Sequence, residues 1–310
     1  MLHFGRLQQI ILFVATCFVS STLFAAETFR VATYNVENYL DVGNEMRRPK
    51  SPEAKTKVRD SILALQPDVI ALQEMGTTNA LLELQASLKA GGLDLPFWEH
   101  IAGRDTNIHV AILSKFPFCA RHPYTNDHFL LSGRRFQVSR GFAEVEIQVN
   151  ANYKFTLITA HLKSRRPIPE ADESEMRQEE AKLLREKIDA HLAADPKINL
   201  VVLGDLNDIK DSPSTKMVIG HGKTGLFDTR PAERNGDPSE KINSRSAPRN
   251  ITWTHFYGVE DNYSRIDYIL LSHAMQKEWQ PEQTYILASP NWGVGSDHRP
   301  IIAGFVAEER

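Results

Sequence analysis

A mixed α/β domain is the fold class this sequence predicts. Two strand-then-helix units follow each other near its start: a strand over Phe29–Val36 with a helix from Ser51, then a strand over Asp68–Glu74 with a helix from Thr77 or Thr78. Between Phe97 and Phe155 helical spacing gives way to short β-prone runs punctuated by Gly, Pro and Asn, the pattern of an antiparallel section. A chain of 310 residues with 42% hydrophobic side chains can bury the large core such an assembly needs.

Each element has a local reason. Ser51-Pro52-Glu53 offers a capping hydroxyl and a proline at the first helical position, and Val58, Ile62 and Leu65 keep helical spacing up to Pro67. The second helix stops at Gly91-Gly92. His109–Leu113, Phe142–Val149 and Tyr153–Ala160 are β-prone runs, the last ending on His161. A charged helix over about 170–192 follows, with Met176, Leu183, Leu184 and Ile188 as its buried stripe. Val201-Val202-Leu203-Gly204-Asp205 is a buried strand that surfaces at its carboxyl end, putting Asp205 and Asn207 on one face. Residues 220–249, rich in Gly, Pro, Arg and Asn, predict a long surface loop, and Ile251–Phe256, Arg265–Leu271 and Pro300–Phe305 return to strand character. With no interdomain linker, the order suggests two halves of one fold.

The formal charge of -3 excludes binding to nucleic acid through bulk positive charge and leaves room only for a local basic cleft. Residues 1–26 read as a secretory signal: Arg6 in a polar start, an apolar run from Ile10 to Leu23, and cleavage after Ala25 or Ala26. An uncleaved anchor is the alternative, but Thr16, Ser20, Ser21 and Thr22 interrupt a run that is short for a membrane span, so no transmembrane span is expected in a mature chain of residues 27–310. Cleavage leaves Cys119 alone, so core burial and not cross-linking must supply stability in an exported, periplasmic or secreted protein.

The strands share a habit of ending on polar groups: Asn35 and Glu37, Glu74, His161, Asp205 and Asn207, Asp267, and Asp297-His298. Each alone is an ordinary turn residue. If neighbouring strands end at one rim, four or more carboxylates crowd there with two histidines, an arrangement that repels itself unless a divalent cation neutralises it. Oxygen ligands of this kind suit Mg2+ or Mn2+, and the absence of clustered Cys or of a His-x-x-x-His pair argues against a structural or catalytic zinc site.

In order along the chain stand Thr33-Tyr34-Asn35-Val36-Glu37-Asn38, Leu72-Gln73-Glu74, Thr159-Ala160-His161, Gly204-Asp205-Leu206-Asn207, Arg265-Ile266-Asp267-Tyr268 and Ser296-Asp297-His298-Arg299-Pro300. Together they resemble the motif series of the endonuclease/exonuclease/phosphatase superfamily, the deoxyribonuclease I-like fold, and look most like its bacterial extracellular nucleases. The resemblance implies a four-layer α/β/β/α sandwich of two packed mixed sheets flanked by helices, with a metal-dependent phosphoesterase site at their shared rim. It implies that Glu74 is the principal metal ligand, with Asn35, Glu37 and Asp297 beside it; the family often has Asp where Glu37 stands. Asp205 and Asn207 resemble the pair that positions water and phosphate. His298 resembles the catalytic histidine, oriented by Asp267, and His161 the residue that stabilises or protonates the leaving oxygen. Arg140 looks like a family arginine that contacts phosphate, though Gly141 departs from the usual sequence.

The substrate class is less sharply written. Lys163-Ser164-Arg165-Arg166, with Arg134, Arg135 and Arg140, forms a local basic group that can track a nucleic-acid backbone or be a solvated loop. A DNA or RNA nuclease is the first reading. A sphingomyelinase-like lipid phosphodiesterase or a phosphatase is the alternative, for which Trp253, Phe256, Tyr257 and Trp292 can supply aromatic contacts if they do not pack in the core. A non-catalytic binding protein on the same fold is the third, disfavoured by the intact acid, amide and histidine positions. No stable protein partner is implied.

Overall fold

The computed structural model describes residues 27–43, 45, 47–234 and 250–308; the expected export signal and residues 235–249 of the expected surface loop lie outside the described residues. The chain begins with β1 (Thr28–Tyr39), α1 (Pro52–Leu65), β2 (Val69–Met75) and α2 (Thr78–Ala90). Seven strands follow: β3 (Phe97–Ile101), β4 (His109–Ser114), β5 (Phe118–Tyr124), β6 (His128–Leu131), β7 (Arg134–Gln137), β8 (Phe142–Asn150) and β9 (Tyr153–His161). Then come α3 (Glu173–Ala194), β10 (Leu200–Asp205), α4 (Pro213–Ile219), β11 (Phe227–Asp228), β12 (His255–Tyr257) and β13 (Asn262–Ser264). The chain closes with β14 (Asp267–Leu271), α5 (His273–Glu278), β15 (Trp279–Ile286) and β16 (Ile301–Val306).

Two six-stranded mixed sheets form, in the orders β15-β16-β1-β2-β4-β3 and β11-β14-β10-β9-β8-β5. Strand alternation explains why they stack. Val31, Val69, Ala71 and Ile112 of the first sheet and Val145, Leu157, Val201, Leu203 and Ile269 of the second point inward and share one apolar core. The residues between them point outward. Ala32, Ile70 and Leu72 receive Val58, Ile62 and Leu65 of α1 with Leu81, Leu84 and Leu88 of α2, while Ile158, Val202 and Leu270 receive Ala181, Leu184 and Ile188 of α3 and Val218 of α4. Four layers result, as the family resemblance implies. Ser51, Thr77 and Asp172 cap the first three helices with their side chains, each accepting a hydrogen bond from a first-turn amide.

Two strand expectations shift. Phe227-Asp228, inside the expected loop, pairs with β14 as a short edge strand. Of the expected strand Ile251–Phe256 only the end is strand, while Ile251 O accepts a lone hydrogen bond from Glu233 N. Instead Thr254 N bonds Ser264 O and Arg299 N bonds Thr254 O, while His255 to Tyr257 pairs with β13 as a separate hairpin. Among the described residues no helix is long and apolar enough to cross a membrane.

Candidate active site

The site is the point where the inter-sheet core runs out of apolar residues. Along β1 the inward face reads Val31, Thr33, Asn35; along β9 it ends on Thr159 and His161, along β10 on Leu203 and Asp205, and β14 begins on Asp267. A buried polar layer comes first: Thr33 Oγ1 donates to Gln73 Oε1 at 3.1 Å, and Gln73 Nε2 donates to Thr159 Oγ1 at 3.2 Å across the two sheets. The functional groups stand beyond it. β1 and β2 are parallel, as are β9 and β10, so these four offer their carboxyl ends; β14 and β16 run antiparallel and offer their amino ends at the same rim. His161, Asp205 and Asp267 are therefore direct neighbours on three adjacent strands.

Two local distortions complete the aim. By alternation Glu74 would face α1 and α2 with Leu72, but a register shift in β2 between Gln73 and Met75, with Glu74 at φ 60°, swings its carboxylate toward Asn35. Gly204 sits at φ 129°, and a Cβ there would lie 2.1 Å from the Ala160 carbonyl oxygen, so only glycine lets β10 approach β9 just before Asp205.

The buried Asn35 links the sheets. Its Nδ2 donates to Asp205 Oδ2 at 3.0 Å and reaches Glu74 Oε1 at 3.5 Å, while its Oδ1 accepts from Glu37 N. His161 Nε2 lies 3.5 Å from Asp205 Oδ2 and 3.9 Å from Glu74 Oε1. His298 Nδ1 meets Asp267 Oδ2 at 2.9 Å, and its Nε2 stands 3.8 Å from both Asp205 Oδ2 and Asp297 Oδ1. Asn35, Glu74, His161, Asp205, Asp267, Asp297 and His298 thus share one site.

Burial separates the proton affinities of these groups. Complete burial, with the neighbouring Asp267, raises the Asp205 carboxyl to about 6 against the lowering effect of His298 and of hydrogen bonds from Asn207 N and Asn35. Burial lowers His161 well below the ordinary histidine value, helped by Arg140 and His298, so its imidazole is neutral and donates or accepts without carrying charge. His298 goes the other way: burial alone would lower it, but Asp267, Asp205 and Asp297 together hold it well above the ordinary value as an imidazolium. An acceptor carboxylate beside a donor imidazolium is a pair tuned to opposite proton tasks.

Arg140 and Asn207 meet on one backbone carbonyl: Asn207 Nδ2 donates to Leu162 O at 2.9 Å and Arg140 Nη1 at 3.2 Å. Buried Arg140 Nε has no hydrogen-bond partner and lies 3.7 Å from Asp105 Oδ2. Glu37 is drawn toward the edge of the site, accepting from Asp297 N at 3.2 Å with Lys50 Nζ 4.0 Å away. The basic group splits. Lys163 Nζ is spent on the carbonyls of Ser164 and Arg166, and Arg165 pairs with Asp208, so these two brace the loop. Arg134 and Arg135 instead line a cavity of about 510 Å³ together with Arg104, His128 and Glu170.

His255 was not visible in the sequence. Its Nε2 lies 3.5 Å from Asp297 Oδ2, and its ring packs on that of His298 with centroids 4.6 Å apart. The pairing needs the β12–β13 hairpin folded against the His298 loop, and a lone His in a run of Thr and Trp carries no such signal. Thr254 Oγ1, which accepts from Asp267 N, and Ser296 Oγ, which donates to Asn35 O, were equally silent. Trp253, Phe256, Tyr263 and Trp292 pack on each other in that wall and not in the core, with Tyr257, Val259 and Tyr263 exposed at its tip.

The donor set fits a hard divalent cation. Glu74, Asp205 and Asp297 supply carboxylates, Asp267 Oδ1 is buried without a hydrogen-bond partner, and Asp205, Asp267 and His298 offer donor atoms within 4.8 Å of one another, as do His255, Asp297 and His298. Carboxylates this close in a buried rim want a counter-charge.

The chain matches the sequence model of the Endonuclease/Exonuclease/phosphatase family over residues 32–298. No curated protein matches it in sequence. Among solved structures, the human Nocturnin catalytic domain with bound sulfate is 16% identical at a TM-score of 0.60, over 91% of this chain and 95% of that one. An endonuclease/exonuclease/phosphatase family protein from Bacteroides thetaiotaomicron is 17% identical at 0.57, over 92% and 100%. Sphingomyelinase C from Streptomyces griseocarneus is 16% identical at 0.54, over 90% and 100%. These likenesses show the shared fold. With the family match spanning nearly all of the described residues, the chain belongs to the Endonuclease/Exonuclease/phosphatase family and is a metal-dependent phosphoric ester hydrolase.

Proposed function

We propose that this protein is an exported nuclease that hydrolyses phosphodiester bonds of DNA or RNA by attack of water, with Mg2+ or Mn2+ at the rim. The observation that supports this reading is a basic cavity on the Arg140 side of the molecule: among the described residues its Arg104, Arg134 and Arg135 have no ion-pair partner, and Arg104 adjoins Asp105, whose Oδ2 lies 3.7 Å from Arg140 Nε. A substrate with one phosphate needs no such extension; a polyanion does. A cation held by Glu74 and Asp297, with Asn35 and Glu37 alongside, would supply charge neutralisation for the phosphate. The protein's own groups do the rest. Asp205 accepts the proton of an attacking water, the His298 imidazolium, held by Asp267, donates a hydrogen bond to a non-bridging oxygen, and neutral His161 donates a hydrogen bond to the leaving oxygen, which takes its proton from solvent. Arg140 and Asn207 orient the phosphate.

The exposed aromatic wall favours a second reading, a lipid phosphodiesterase: Tyr257, Val259 and Tyr263 at a hairpin tip resemble a surface for apolar ligands. Purified protein with Mg2+ or Mn2+ is offered plasmid DNA, RNA, sphingomyelin and a phosphomonoester in parallel. Cleavage of plasmid or RNA supports the first reading. Turnover of sphingomyelin alone overturns it in favour of the second.

A further inference from the structure

Glu180 is fully buried on the inner face of α3, and its hydrogen bonds go to none of the reacting groups. A carboxylate so placed is costly unless donors meet it. Among the described residues it has no ion-pair partner, and three donors from two loops take that place. Its Oε1 accepts from Ser139 N at 2.8 Å and Ser139 Oγ at 2.7 Å, and its Oε2 accepts from Lys163 N at 2.6 Å. A side chain needed only to pack α3 would be apolar, as Ala181, Leu184 and Ile188 are.

Both loops carry parts of the phosphate-orienting pair. Ser139 precedes Arg140, and Lys163 N belongs to the same peptide unit as Leu162 O. That peptide is trans, so its N–H and C=O point in opposite directions. An anion holding Lys163 N–H from the α3 side therefore turns Leu162 O the other way, where it accepts from Asn207 Nδ2 at 2.9 Å and Arg140 Nη1 at 3.2 Å. The bond on one side of the peptide also polarises the carbonyl on the other. Arg140 is thus held twice, by the chain at Ser139 and by the carbonyl its guanidinium meets. Its Nε keeps no hydrogen-bond partner, which leaves donors for phosphate oxygens. Arg177, one turn before Glu180, adds a second grip: Nη1 donates to Lys163 O at 3.0 Å and Nε to Asp208 Oδ2 at 3.0 Å, next to Asn207.

We propose that Glu180 is a positioning residue of the hydrolytic reaction, a buried anion that acts through Ser139 and the Leu162–Lys163 peptide to aim Arg140 and Asn207 at the phosphate. It rests on the reading that these two side chains orient the phosphate.

The full chain is compared as wild type, Glu180→Gln, Arg140→Gln and the double variant, with Mg2+ or Mn2+. The substrate is whichever of plasmid DNA, RNA, sphingomyelin and a phosphomonoester the wild type turns over fastest. Glutamine keeps the volume, but its one oxygen cannot serve both Ser139 N and Lys163 N. Glu180→Gln should lower kcat/KM about tenfold, mostly through KM, because a misaimed Arg140 weakens substrate and transition state alike. In the Arg140→Gln background the same change should cost no more than about twofold, since the groups act as one unit. A residue serving only the fold would cost the same factor in both backgrounds and leave KM unchanged. If Glu180→Gln loses the cooperative melt of its parent, Ser139→Ala, which deletes one donor and keeps the carboxylate, runs the same cycle with a smaller loss. Equal factors in both backgrounds, or full activity in Glu180→Gln, overturn the proposal alone. Full activity in Arg140→Gln overturns the phosphate role of Arg140 and the proposal with it.

Discussion

His298 and Asp267 are joined by a 2.9 Å contact between Nδ1 and Oδ2 although they belong to different sheets, His298 preceding β16 and Asp267 opening β14. Asn35 and Asp205 make the same crossing at 3.0 Å. The reacting groups are thus fixed by the packing of two sheets and by no single loop, so removing one side chain should leave the frame intact.

His298→Ala and Asp205→Ala should each lower kcat/KM by about 10² to 10⁴, the range for a lost proton-transfer group, measured by steady-state hydrolysis of a phosphodiester. Asp205→Asn should do the same without lowering the metal-free melting temperature, because burial already disfavours the charge it removes. Full turnover in any of the three ends the assignment.

Mg2+ or Mn2+ should raise the melting temperature. An ion at a hundred times its Kd contributes about 2.7 kcal/mol, a rise of several degrees for a domain of this size. Glu74→Gln should shrink that rise sharply. Calorimetry with and without metal reads it, and an unchanged rise in the variant would remove Glu74 from the ligand set.

Charge reversal at Arg104, Arg134 and Arg135 should weaken cleavage of long DNA or RNA and leave a small chromogenic phosphodiester untouched. Each lost phosphate contact lowers the slope of log affinity against log salt by about one. Equal effects on polymer and small ester would show that the cavity does not track a backbone.

His191 and Glu144 make an ion pair at 3.0 Å on the α3 side of the second sheet. The hydrogen bond to Glu144 raises the His191 proton affinity above the ordinary value, against the opposing effect of partial burial. A folded-state value above the unfolded one gives stability that is complete below about pH 6.5 and is lost as pH rises through the raised folded value. Melting curves from pH 5.5 to 8.5 should therefore converge for wild type and His191→Gln at the alkaline end and separate at the acid end. A gap that widens with alkalinity would contradict the pairing.

Gly204→Ala should destabilise by about 3 kcal/mol or more, since it combines a disfavoured φ with a methyl group driven into the Ala160 carbonyl. Denaturant unfolding measures it. A variant as stable as wild type would mean that β9 and β10 do not approach as closely as described.

The polar ends of strands were legible because inward alternation simply stops: Val201 and Leu203 are followed by Asp205, and Ile269 is preceded by Asp267. The Ser51 and Thr77 caps were legible for the same reason, their signals lying within a few residues. β15 was not, because Gln280, Pro281, Glu282 and Gln283 hide an edge strand whose ladder runs with β16 alone apart from a single bridge of Ile286 to Glu233, and one-sided pairing tolerates polar residues and proline. The short helices α4 and α5 and the β6–β7 hairpin hid because few residues leave little periodicity to read.

What the sequence determined by itself was the fold class, the strand endings and the list of chemical groups, since each depends on patterns a few residues long. What only the tertiary structure decided was partnership. The bulge that turns Glu74 inward, the loss of Lys163 and Arg165 to bracing, the gathering of Arg104 with Arg134 and Arg135, and the stacking of His255 on His298 all arise between segments remote in sequence. Such contacts follow from how two sheets pack, a constraint that local pattern does not carry.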